Sequence, residues 1–182
     1  MKKILFVSII SIFISQMAFA QDSLIKFEKI VYLDSIYLKD DLYVKARQWI
    51  SDNFTDANSV ITISDKESGE LSGNGSFEVN ASKLRLSGVT QIVRFKIAIL
   101  VKNAKYKVQF YNFEHTTPSY TELSMGLITN SVHYPYKTIT KMAFKTFDKV
   151  WIDTKNQLNV KVESLFSSLE KAMREKPKNE GW

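Results

Sequence analysis

The sequence predicts an α+β fold, a curved antiparallel sheet of about five strands with helices packed on one face. Three observations lead there. Residues 89–113 alternate apolar and polar side chains in two long runs joined by a short polar connection, the mark of a β-hairpin. Residues 39–53, 138–152 and 155–174 carry apolar stripes at helical spacing. The dry face of the hairpin needs a cover, because two strands alone are marginal in water, and these helices supply it.

The chain opens as a signal peptide over residues 1–20. Lys2 and Lys3 precede an uncharged apolar run from Ile4 to Phe19, and Ala18-Phe19-Ala20 forms a small-x-small cleavage site. Ser8, Ser11, Ser15 and Gln16 dilute the run, which argues against a membrane anchor, and no cysteine follows it for lipid attachment. Cleavage after Ala20 gives an exported protein, periplasmic or secreted, with no transmembrane segment left. Losing Lys2 and Lys3 lowers the formal charge from +6 by two, to a mild +4. Both signs of charge are spread along the chain, so no nucleic-acid partner is expected. Residues 21–175 are expected to form one domain, followed by a polar tail, 176–182.

Leu24 to Leu33 is rich in β-branched and aromatic residues and reads as a strand. In Lys39 to Asn53, the residues Leu42, Tyr43, Ala46, Trp49 and Ile50 make one helical stripe, with Asp40 and Asp41 in the first turn where the helix dipole favours acids. Trp49 sits on that stripe as a core anchor. Ser59 to Ser64 is a short strand, Asp65 to Gly69 a turn, and Glu70 to Val79 a further strand in which Gly73 and Gly75 permit a bulge or a close approach. Asn80 to Gly88 connects to the central hairpin, where Asn103 is expected to take the positive φ of the turn. Glu114 to Lys137 reads as a long irregular loop. The helices 138–152 and 155–174 follow; the second belongs on the sheet, and the first either extends the helical layer or packs at the sheet's edge.

In the hairpin, Val93, Phe95, Ile97, Ile99, Val101, Val108 and Phe110 form the apolar face, expected to meet Trp49, Ile50, Leu165 and Leu169. The opposite face carries Arg94, Lys96, Lys105 and Lys107 together with Leu100, Tyr111 and Phe113. Such a face is read in two ways: as a solvated surface kept soluble by lysines, or as a basic, aromatic surface for an anionic or extended ligand.

Other chemistry is sparse. With no cysteine there is no disulfide, thiolate metal site or cysteine nucleophile. Asp65, Glu67 and Glu70 lack the calcium-loop pattern, no serine sits in a GxSxG elbow, and Ser72-Gly73-Asn74-Gly75 lies in a strand rather than opening a helix. His115 and His133 fall in the irregular loop without metal-ligand spacing and read as surface histidines. No cofactor is indicated.

The helix KDDLYVKARQWI (Lys39 to Ile50), preceded by Phe27 and Val31 and followed by Asp65-Lys66-Glu67-Ser68-Gly69 and Gly73-Asn74-Gly75, resembles a family of exported bacterial proteins. These carry a domain of unknown function with a TATA-binding-protein-like (TBP-like) fold, and the resemblance spans about residues 25–113. It implies the order β-α-β-β-β-β-α and no activity, and the fold's name does not import DNA binding. The function expected is a non-enzymatic envelope binding or interaction module using the open sheet face. Arg94, Lys96, Lys107, Tyr111 and Phe113 are its binding residues, and an envelope protein, peptide or glycan its partner. The alternative is a hydrolase or metal-dependent enzyme built on Glu114, His115 and His133 in the 114–137 loop.

Overall fold

A computed structural model describes residues 23–54, 61–80, 89–136 and 141–175, and for residues 141–144 the backbone only. The signal peptide 1–20, the connection 81–88, the first residues of the helix at 138 and the tail 176–182 lie outside the described residues. The elements are β1 (Lys26–Tyr32), α1 (Lys39–Asn53), β2 (Ile61–Asp65), β3 (Glu70–Val79), β4 (Gln91–Lys102), β5 (Lys105–Thr116), a 3₁₀ turn (Thr121–Leu123), β6 (Gly126–Leu127) and α2 (Lys141–Arg174). The strands form one antiparallel sheet in the order β1-β5-β4-β3-β2, and β6 pairs with β5 beyond the start of β1. The expected α+β architecture and element order are present.

Alternation in β4 is unbroken: Val93, Phe95, Ile97, Ile99 and Val101 are buried, while the residues between them are exposed or half-buried. Val108 and Phe110 of β5 lie opposite Ile99 and Ile97, so the two strands present one dry face. Both helices cover that face. From α1 come Leu42, Tyr43, Ala46, Trp49 and Ile50; from α2 come Trp151, Leu158, Val162, Leu165, Phe166, Leu169 and Met173, all in one core cluster with the sheet. The Phe110 and Phe166 rings meet edge to face at 5.1 Å, and Trp49 Nε1 donates to Ser168 Oγ at 3.0 Å, which ties the two helices together. Truncating a buried Trp such as Trp49 or Trp151 costs about 3–5 kcal/mol.

Three expectations are corrected. The two C-terminal helices are one of 34 residues, about 50 Å long. Nothing between Trp151 and Leu158 breaks a helix, and Thr154, 2% exposed, carries the buried stripe across a position whose hydroxyl hides it in the sequence. The long loop is also shorter than expected. β5 runs on to Thr116, and the segment after it is pinned by the β6 pairing, by the Leu24–Thr129 bridge and by Ile25 N–H donating to the Ile128 carbonyl. In the hairpin turn, Ala104 rather than Asn103 takes the positive φ, +58°. Asn103 instead accepts a hydrogen bond from the Lys39 amide, satisfying a donor at the start of α1 that Leu38 leaves uncapped.

Gly75 of β3 serves a close approach. A Cβ at Gly75 would stand 2.5 Å from Phe95 Cζ and 3.0 Å from Phe54 Cε1. The two rings lie directly on the strand backbone. Gly75→Ala is therefore predicted to destabilise the fold by about 1–3 kcal/mol, read as a lower urea midpoint with an unchanged slope.

Candidate functional site

The face of the sheet away from the helices is built by register. Lys96 of β4 stands between Asn74 of β3 and Tyr111 of β5, Arg94 between Ser76 and Glu114, and Leu100 between Glu70 and Lys107. Lys26, Glu28, Ile30 and Tyr32 of β1 continue the rows opposite Tyr111, Gln109, Lys107 and Lys105. Four of the five residues singled out in the sequence, Arg94, Lys96, Lys107 and Tyr111, thus lie on this face.

Phe113 does not. It is 1% exposed and packs in the core, edge to face with Phe27 at 5.7 Å and beside Phe95 at 5.6 Å. The cause is a β-bulge. Between the pairs Arg94–Glu114 and Lys96–Tyr111, β5 places Asn112 and Phe113 opposite Phe95 alone. Asn112 adopts φ +54°, a left-handed conformation that asparagine tolerates better than other non-glycine residues. One extra residue reverses the alternation, so Phe113 and His115 point inward and Glu114 outward.

The bulge also shapes a cleft of about 450 Å³, whose lining includes Arg94, Lys96, Asn74, Ser76, Asn112 and Glu114, with Asn53, Phe54, Gly75 and Phe95. Arg94 and Lys96 have no carboxylate within ion-pair distance among the described residues. Lys107 lies elsewhere, on a smaller depression of about 200 Å³ with Ile30, Tyr32, Leu100, Lys102 and Lys105. The expected binding face therefore divides into a polar cleft at the bulge and a lysine-ringed apolar patch towards the hairpin turn. Asn74, Ser76 and Asn112 were not read as site residues, and Glu114 entered only the alternative enzyme site with His115 and His133. Asn112, an asparagine inside a strand pattern, is the one signal in the sequence that pointed to the bulge.

Glu114, His115 and His133 are not brought together. Glu114 is exposed, while His115, its neighbour on the strand, points inward and is fully buried. The Met125 amide donates to His115 Nδ1 at 3.1 Å, so the proton sits on Nε2, which donates to Gln91 Oε1 at 3.0 Å. Both ring nitrogens are occupied and neither has a lone pair for a metal. His115 is thus a core residue, contrary to the surface position expected of it. His133 is exposed and pairs through Nδ1 with Asp148 at 3.1 Å, and the Tyr134 amide also donates to Asp148. That backbone bond, with His133 behind it, holds the Asp148 carboxyl below the usual range against the opposing effect of burial. Among the described residues, no three histidine, aspartate or glutamate side chains are placed to share a metal ion.

Burial pushes the His115 pKa from 6.5 down to about 4. The unfolded chain takes up this proton near pH 6.5 and the folded one only near pH 4. Between those values the unfolded state binds more protons, so this contribution to stability is complete above pH 6.5 and is lost as the pH falls towards 4. The predicted slope is at most on the order of 1.4 kcal/mol per pH unit, read from urea midpoints across that window, and His115→Gln flattens it.

Residues 27–116 match the family described as a domain of unknown function (DUF4468) with TBP-like fold. Among curated proteins, none is similar to the chain in sequence. Two crystal structures share the fold. A DUF4468 family protein from Bacteroides ovatus superposes with a TM-score of 0.61 at 15% identity, covering 87% of this chain and 90% of that one. A TBP-like protein from Parabacteroides distasonis gives a TM-score of 0.56 at 14% identity, covering 85% and 95%. Through residues 27–116, the chain belongs to the DUF4468 family of domains of unknown function with a TBP-like fold.

Proposed function

We propose that the protein is a non-enzymatic binding module of the cell envelope, with residues 1–20 acting as its export signal and the open sheet face receiving its partner. One observation carries this reading. Both α-helices of the described chain pack on the same side of the sheet, and the side they leave open displays Arg94 and Lys96 without ion-pair partners among the described residues, with Lys107 and Tyr111 alongside. Two surface lysines elsewhere do form ion pairs, Lys29 with Glu170 at 3.0 Å and Lys66 with Asp40 at 3.1 Å. Cations held unpaired on a sheet face, with aromatic and aliphatic side chains between them, suit an anionic or extended partner such as a glycan, a peptide or a loop of another envelope protein.

The two sections of the face can act together. Tyr111, beside Lys96 and across from Lys26, lies between the bulge cleft and the patch around Lys107, and Ile30 and Tyr32 extend that patch at 52% and 71% exposure. An extended partner crossing the strands would meet charge, aromatic surface and charge again in turn.

The test is purification under mild conditions from the native cells, comparing wild type with the double variant Lys96→Glu, Lys107→Glu. Both side chains point to solvent, so the variant is expected to keep its melting temperature and to lose the co-purifying partner. Retention of every partner by a folded double variant refutes the use of this face.

A further inference from the structure

The bulge cleft has a chemical character of its own. Six polar side chains converge on it: Arg94, Lys96, Glu114, Asn74, Asn112 and Ser76. Among the described residues, none of the six makes a side-chain hydrogen bond or an ion pair. Asn53 at the rim donates to the Trp49 carbonyl. The cleft therefore holds two permanent cations, one carboxylate, and amide and hydroxyl groups that both donate and accept, with their hydrogen-bonding capacity turned to the space between them.

This combination selects among anions. Arg94 and Lys96, two residues apart on one strand face, attract negative charge, and a guanidinium matches a carboxylate with two parallel bonds. Glu114, directly opposite Arg94 in register, opposes a second negative charge and accepts hydrogen bonds only. A phosphate dianion satisfies the cations but sets charge against Glu114. A monoanion carrying hydroxyl groups satisfies all of them, its carboxylate on the cations and its hydroxyls on Glu114 and the amides. A volume of about 450 Å³ lies in the range of small-ligand sites, and Phe54, Gly75 and Phe95 complete its lining.

We propose that the cleft binds the carboxylate-bearing sugar unit of an acidic saccharide, with Arg94 and Lys96 holding the carboxylate and Glu114, Asn74 and Asn112 the ring hydroxyls. This rests on the binding-module reading and names the partner class for one part of the open face.

The experiment is an amide-resolved NMR titration of the protein with D-glucuronate, set against D-glucose and inorganic phosphate. Saturable shifts are expected at residues 74–76, 94–96 and 112–114 with D-glucuronate, and binding about tenfold or more weaker for the other two. Arg94→Ala weakens D-glucuronate by about tenfold without lowering the melting temperature. No saturable shift at these residues, shifts confined to other regions, or an equal response to glucose or phosphate overturns the assignment. If D-glucuronate fails to bind while the Lys96→Glu, Lys107→Glu protein sheds its native partner, the saccharide assignment alone falls. A partner retained by that variant removes the wider reading instead.

Discussion

At the middle of the sheet a single phenylalanine, Phe95, is faced by two residues of the neighbouring strand, and much of the molecule depends on that mismatch. The Phe95 ring meets those of Phe54, Phe77, Phe110 and Phe113, which joins the end of α1 to three strands. Before the bulge, β5 turns its even-numbered residues to the core. After it, Phe113 and His115 take their place, and Asn112 and Glu114 are released to the open face beside Arg94. The same extra residue closes the core and opens the cleft. Bulges re-aim side chains, and the re-aiming is visible here in Phe113 and Glu114.

The helices make the open face possible by staying off it. Lys45 of α1 donates to the carbonyls of Met173 and Glu175, and Tyr37 to that of Arg174, so the C-terminal end of α2 finds partners for its unsatisfied carbonyls on the other helix and its approach. Burial lowers the Lys45 pKa, while Asp41 and Glu175 oppose the shift. The N-terminal half of α2 has a separate task. Trp151 Nε1 donates to the Ser131 carbonyl and Phe147 stacks on Tyr134 at 5.2 Å, strapping the segment after β6 to the helix. Length gives α2 two jobs, one covering the sheet and one holding the chain that completes it.

What the sequence revealed follows from where its periodicity is clean. In α1 the apolar stripe agrees with its ends, and the expected bounds are those observed, Lys39–Asn53. The alternation of β4 gives its buried face residue by residue, and Arg94 and Lys96 fall on the other side as expected. Periodicity is blind where it changes phase. Phe113 shares parity with Lys107 and Tyr111, and only the bulge at Asn112 separates them. Thr154 hides the continuity of α2 because a buried threonine reads as polar, and His115 reads as surface because its partners, Gln91 and Met125, become neighbours only when the sheet forms. The cleft was illegible for the same reason: its side chains come from β3, β4 and β5, and register alone brings them together.

The absence of cysteine from the chain allows a direct measurement of that phase change. Single substitutions Phe113→Cys and Glu114→Cys place one thiol at each of two adjacent positions, and labelling rates under native conditions report which is accessible. With the bulge in place, the thiol at 114 reacts at the rate of an exposed cysteine and the thiol at 113 is protected. Fast labelling at 113 with protection at 114 would mean an unbroken strand, and would remove both the core assignment of Phe113 and the cleft beside Arg94.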